Sequence, residues 1–282
     1  MSLPLRRSIP VLLALLLGAC STAAIDAVSP ESEDAIYAAS PANIQSLTTV
    51  VQHNPNDPQA YNMRGTVFGK GKRYDEALAD FNKAITIDPN YAQAFANRGL
   101  VYRETGKLDL ALADYDKALS IDPNYAVAYL GRGMVYHAQN KTALAIADFD
   151  KAIQLRPDNA QAYYNRGLLY QAQSRHNVAI DDFTTAIGLS TQQAEPYIAR
   201  GLSYLAIKDN KSAAADLDQA VNMAPQNEQA WASRGLAYER LGDKEKAAGS
   251  YARALNIDVS DRPAKAGFAR VGGRYGEAYQ TF

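Results

Sequence analysis

The dipeptide Arg-Gly recurs in this chain every 34 residues, at Arg64-Gly65, Arg98-Gly99, Arg132-Gly133, Arg166-Gly167, Arg200-Gly201 and Arg234-Gly235. Recurrence at one fixed step leaves no room for insertions and restricts the fold to a stack of equivalent small units. Other columns keep the same step. An aromatic follows each glycine by three residues (Phe68, Tyr102, Tyr136, Tyr170, Tyr204, Tyr238). Alanines recur at Ala77, Ala111, Ala145, Ala179, Ala213 and Ala247, and again at Ala84, Ala118, Ala152, Ala186, Ala220 and Ala254. Between the alanine columns runs a large residue: Phe81, Tyr115, Phe149, Phe183, Leu217, Tyr251.

These columns predict two antiparallel helices per copy, joined by turns such as Gly71-Lys72-Arg73 and Gly242-Asp243-Lys244. The small residues let the helices approach, and the aromatics fill the space between them. Asp88-Pro89, Asp122-Pro123, Arg156-Pro157 and Ala224-Pro225 end the second helix, because proline cannot continue it. Asn90, Asn124 and Asn159 are placed to cap the next helix. Thr191 and Val259 replace the proline in the fourth and sixth copies.

The pattern resembles the tetratricopeptide repeat, a helix-turn-helix unit of the same length. The resemblance implies an all-α, right-handed superhelical solenoid of six full copies: 58–91, 92–125, 126–159, 160–193, 194–227 and 228–259. Single copies cannot bury their apolar faces, so the ends require capping. Residues 35–57 provide a front cap, with Ile44, Leu47, Val50 and Val51 on the second helix of a degenerate copy and a first helix around Asp34 to Ala39. Residues 260–282 provide a final solvating helix, with Asp261 as its N-cap, and an unassigned tail from Gly272.

The first 19 residues read as an address. Arg6 and Arg7 precede an apolar run, Ile9 to Leu17, which is too short to span a bilayer. Leu17-Gly18-Ala19-Cys20 resembles a bacterial lipobox, which predicts lipidation of Cys20, the chain's single cysteine. Residues 20–34 then form a polar tether. An ordinary secretory cleavage after Thr22-Ala23-Ala24 is the simpler alternative. In Gram-negative sorting, Ser21 implies the outer membrane.

An arginine precedes the glycine in all six copies, and aspartates recur at Asp80, Asp114, Asp148, Asp182 and Asp216, with Ser250 in the last copy. Each aspartate lies sixteen residues after one arginine and eighteen before the next, so pairing within a copy and pairing across copies both remain open. A catalytic arginine would not appear six times; the columns read as architecture. His53, His137 and His176 lack metal-ligand spacing, and no nucleophile elbow or phosphate loop is present. We therefore expect no enzyme, no cofactor and no metal. A formal net charge of -1 offers nothing to nucleic acid.

On each first helix a second stripe lies opposite the packing residues. In the repeat family this stripe lines a concave groove that takes partner peptides or helices. Here it places Leu130, Met134, Tyr164, Leu168, Gln171, Ile198, Leu202 and Leu205 in a central apolar strip as the candidate groove. The column Leu100, Met134, Leu168, Leu202, Leu236 could equally pack between adjacent first helices. The stripe's one lysine, Lys70, disfavours the carboxylate clamp of chaperone-binding members. Resemblance to the NlpI-type repeat lipoproteins implies an envelope adaptor that binds other envelope proteins, touches the membrane through its lipid alone, and can homodimerise. A fixed subunit of an outer-membrane assembly, pilus or secretion complex is the alternative.

Overall fold

The computed structural model describes residues 39–274, 276, 277 and 279. Cys20, the signal segment, the tether and almost all of the helix expected around Asp34 to Ala39 lie outside the described residues. Within them the chain is a run of 14 helices. The front helix is α1 (Pro41–His53). The six copies supply A/B pairs: α2 (Pro58–Lys70) with α3 (Tyr74–Ile87), α4 (Ala92–Glu104) with α5 (Leu108–Ile121), and α6 (Ala126–Ala138) with α7 (Thr142–Leu155). They continue as α8 (Ala160–Ala172) with α9 (His176–Leu189), α10 (Ala194–Ala206) with α11 (Asn210–Met223), and α12 (Glu228–Leu241) with α13 (Lys244–Ile257). The last is α14 (Arg262–Arg270). The all-α solenoid expected from the period is the observed fold.

Each A helix packs on its own B helix and on the B helix before it, and successive A helices also touch one another. The A helices therefore line the inner side of the stack.

The glycine column exists because the aromatic of the B helix fills its place. A Cβ at Gly65 would stand 2.8 Å from the Phe81 ring, and one at Gly133 or Gly167 would stand 2.7 Å from Phe149 or Phe183. A second constraint joins neighbouring copies. Where the B-helix aromatic is tyrosine, the residue facing it from the next A helix is also glycine: Gly131 faces Tyr115, and Gly267 faces Tyr251. The corresponding residues after phenylalanine or leucine are Asn97, Asn165, Ala199 and Ser233. Gly131→Ala is therefore expected to cost about 1–3 kcal/mol through overpacking. Tyr115→Phe in the same chain should restore part of it. Without the hydroxyl the ring can slide toward Gly99, as Phe149 does toward Gly133. Urea denaturation followed by circular dichroism checks both.

The N-caps correct one expectation. Asn159 does cap α8, accepting from the Ala162 amide at 3.1 Å. Asn90 and Asn124 do not cap, because α4 and α6 begin later and Tyr91 and Tyr125 occupy the cap positions. Instead the Asp88 and Asp122 carboxylates accept from the Asn90 and Asn124 amides at 2.9 Å and tighten the turn. Asp261 caps α14, accepting from Ala264 N at 3.1 Å.

The Arg and Asp columns pair within a copy. Arg98 donates through Nε and Nη2 to both Asp114 oxygens at 2.8 and 2.7 Å, and Arg64, Arg132, Arg166 and Arg200 bind Asp80, Asp148, Asp182 and Asp216 in the same two-pronged way. The remaining prong turns back to the B helix of the preceding element: Thr48, Asn82, Asp116, Asp150 or Thr184. Arg234 bridges Asp218 and Ser250. Each guanidinium thus staples an A helix to two B helices. It also lies against aromatic rings of its own helix, such as Tyr129 and Tyr136 around Arg132 at 5.5 and 5.8 Å, which accounts for many of the 18 tyrosines.

Candidate interaction groove

The inner face is built from one turn of each A helix laid against the next. One column controls how open it is: Gly69, Arg103, His137, Gln171, Leu205 and Glu239. Most of these side chains reach the following A helix or pack into the core. Arg103 lays Nη1 against the Met134 sulfur at 2.6 Å. Gln171 donates to Ala199 O and Ser203 Oγ at 2.7 and 2.8 Å. Leu205 is buried in the core of the last copies. Glu239 accepts two bonds from Arg270 at 2.7 and 3.0 Å, and that pairing holds its carboxyl below the usual carboxylate range. Burial lowers the His137 imidazole's affinity for a proton, so it favours the neutral ring.

Gly69 has no side chain to contribute. Beside it a cavity of about 270 Å³ opens between α2 and α4, room for one large aliphatic or aromatic side chain. Phe81 and Val101 form its buried floor, and Leu100 stands at its mouth with 43% of its surface exposed. Asn97 closes one end by donating to Asn62 Oδ1 at 2.9 Å and Thr66 Oγ1 at 3.3 Å. Lys70, Lys72, Tyr74 and Glu104 complete the rim. A Cβ at Gly69 would meet Val101 at 3.6 Å and Ala77 at 4.0 Å, which is ordinary contact, so a side chain there is sterically allowed.

The central strip expected from the helical wheel is not a continuous open surface. Met134, Ile198 and Leu205 are buried at 5%, 6% and 4%. Leu130, Tyr164, Leu168 and Leu202 are half-buried against the cores of their copies, and Gln171 spends its amide on the next helix. The wheel placed these residues on the right side of each helix, but the neighbouring A helix covers much of that side. The opening at Gly69 was missed. Reading the column from Gly69 to Glu239 across copies would have shown it, since one member alone lacks a side chain.

A second cavity, about 560 Å³, lies between B helices α11 and α13, with Trp231, Arg253 and tail residues Glu277 and Tyr279 in its wall. It is separate from the inner face. Among the described residues no helix is long and apolar enough to cross a membrane, and no cluster of His, Cys, Asp and Glu could hold a metal ion.

Models of the tetratricopeptide repeat match residues 58–91, 81–113, 160–193 and 198–263, and a TPR-repeat model matches 99–140 and 133–174. No curated protein matches by sequence. Among solved structures, YrrB, described as a TPR protein with an unusual peptide-binding site, superimposes with a TM-score of 0.59 at 25% identity, over 66% of this chain and 96% of YrrB. PilF of Pseudomonas aeruginosa gives 0.70 at 20% identity, over 76% of this chain and 97% of PilF. A chain of the APC/C hetero-tetramer Cut9-Hcn1 gives 0.67 at 19% identity over 80% of this chain, which spans only 45% of that longer one.

Proposed function

The chain belongs to the tetratricopeptide-repeat family, and on that footing we propose that it is a non-catalytic scaffold that holds segments of other proteins on its inner face and is tethered to a bacterial envelope by lipid on Cys20. The observation that carries the reading is the open apolar cavity at Gly69, walled by α2 and α4 on the side where the A helices meet. A preformed cavity with an apolar floor and a polar rim is what a linear ligand needs to seat one anchoring side chain. The peptide-binding site of YrrB, which shares 25% identity with this chain, supports the same use of the fold. The anchor rests on Leu17-Gly18-Ala19-Cys20 placed directly after an apolar run. Two or more acyl chains on one residue hold a protein to a membrane stably, where one would not. The clients are then envelope proteins, as for adaptors of the NlpI type, with Ser21 favouring the outer membrane.

Gly69→Leu tests the groove without harming the fold. Leucine is a better helix former than glycine by about 1 kcal/mol, and the cavity has room for it, so the variant should melt at or above the native temperature. A crosslinked pull-down should lose particular envelope proteins from the Gly69→Leu catch. An unchanged catch would reject this face as the working surface. Recovery of one complex in fixed stoichiometry would make the chain a structural subunit instead of an adaptor. Cys20→Ala should move the protein out of the membrane fraction, and retention there after a salt wash would reject the anchor.

A further inference from the structure

We propose that the cavity between α11 and α13 is a second binding site, on the B-helix side of the stack, for a partner segment that presents a side-chain carboxylate beside an apolar residue. It stands apart from the groove at Gly69 and does not depend on it. Its origin lies in the columns. α14 carries Phe268 at the position where the six A helices carry arginine. No guanidinium therefore reaches back to α13 for an oxygen, and Ala252 stands where the preceding helices carry Thr48, Asn82, Asp116, Asp150, Thr184 and Asp218. Gly249, one turn earlier, takes the place of Ala79, Ala113, Ala147, Asp181 and Ala215. Two small residues at i and i+3 share one face of α13. The cavity of about 560 Å³ lies against that face and is of a size that suits a compact ligand or a few side chains.

The same face of α13 carries a charge. Arg253 occupies a column held elsewhere by Lys83, Lys117, Lys151, Thr185 and Gln219. Asn256 follows it by three residues, and Asn222 lines the cavity from α11. Arg253 is half-buried, and among the described residues it makes no ion pair, hydrogen bond or ring contact. The side-chain amides of Asn222 and Asn256 are likewise uncommitted. The acid in the wall, Glu277, is already engaged: it accepts from the Tyr279 hydroxyl at 3.1 Å and pairs with Arg274 at 3.5 Å. Trp231 has spent its indole N–H on Pro225 O at 3.0 Å, so together with Val221 it offers apolar surface. A guanidinium without a counter-ion beside such a wall fits a carboxylate, which its planar fork binds through two parallel hydrogen bonds. The two amides add donors for the same group, and an adjoining apolar side chain fills the space at Gly249 and Ala252.

Trp231 is the chain's single tryptophan, so its emission reports on the cavity directly. The test is selection of random tryptophan-free dodecapeptides displayed on phage against the immobilised full-length chain, in parallel with Arg253→Gln and Ala252→Leu, each shown folded by circular dichroism. Native protein should enrich peptides with Asp or Glu within two residues of Leu, Ile, Val, Phe or Tyr. The best of these, made synthetically, should shift Trp231 emission on titration and bind about 10-fold more weakly to Arg253→Gln, which loses a charge-assisted hydrogen-bonded pair. Ala252→Leu, which fills the cavity, should weaken it at least as much. Gly69→Leu should bind it as the native chain does; loss there would place the peptide on the inner face and reject the outer site. Enriched peptides without acidic bias, or an acidic peptide that leaves Trp231 emission unchanged, would overturn the proposal and leave the groove at Gly69 standing. Phe282 follows Tyr279 by three residues and offers an apolar ring of its own. If Phe282→Ser tightens the peptide severalfold, the chain's own tail is the occupant and the partner assignment falls.

Discussion

Asp114→Ala is expected to destabilise the protein by about 3–5 kcal/mol, and Asp148→Ala by distinctly less. Both changes remove the carboxylate that takes two prongs of an arginine, and both leave a largely buried guanidinium behind: Arg98 and Arg132 expose 19% and 21% of their side chains. The difference lies in what remains. Arg132 keeps a full ion pair to Asp116 at 2.7 Å, whereas Arg98 keeps only the neutral amide oxygen of Asn82 at 2.6 Å. Breaking a buried pair costs more than the pair contributes, because the surviving charge has lost its solvent and gained nothing. Asp80→Ala and Asp216→Ala should follow Asp114→Ala, since Arg64 and Arg200 fall back on Thr48 and Thr184 hydroxyls. Asp182→Ala should follow Asp148→Ala, because Arg166 retains Asp150. Urea denaturation of the five variants measures the ranking. Equal losses across the set would mean that the second prong carries no energy.

That second prong shows where the sequence stops being readable. The period, the glycine and alanine columns and the helix pairs were legible because each is the same residue type at the same step, imposed by one repeated steric demand. The residue before the arginine on the preceding helix is not. Thr48, Asn82, Asp116, Asp150, Thr184 and Asp218 share only an oxygen within reach, so no column of identical letters marks them. The choice between pairing within a copy and pairing across copies was open because both spacings are constant; in three dimensions each column aspartate takes the arginine of its own copy, and the prong that crosses to the preceding helix meets a different set of residues. The groove was half legible. A helical wheel finds the side of each A helix that faces inward, but it cannot see the next helix. Whether a residue on that side is covered depends on a side chain about 30 residues away, as Arg103 covers Met134 and Gly69 leaves Leu100 bare.

Ile198→Asp and Leu100→Asp turn that distinction into a measurement. Both residues belong to the inward stripe, and from sequence alone both substitutions would be surface changes. Ile198 is 6% exposed, in a core with Ala194, Leu217 and Trp231, so a carboxylate there would be buried among apolar side chains. We expect a loss of about 3–5 kcal/mol at neutral pH, among the larger single-residue effects. The loss should depend on pH in a known direction. Burial raises the new carboxyl's pKa above the value of about 3.9 that it has in the unfolded chain. The folded form then binds more protons over that interval, so stability rises as pH falls from the folded pKa toward the unfolded one, by up to about 1.4 kcal/mol per pH unit. Leu100 is 43% exposed, and Leu100→Asp should change stability by no more than about 0.5 kcal/mol at any pH in that range. Its effect should appear in binding, because it places a charge at the mouth of the apolar cavity beside Gly69. Circular dichroism melts between pH 5 and 8, run beside the crosslinked pull-down, separate the two roles. An Ile198→Asp chain as stable as the native one would return the central strip to solvent and to candidacy as the binding face.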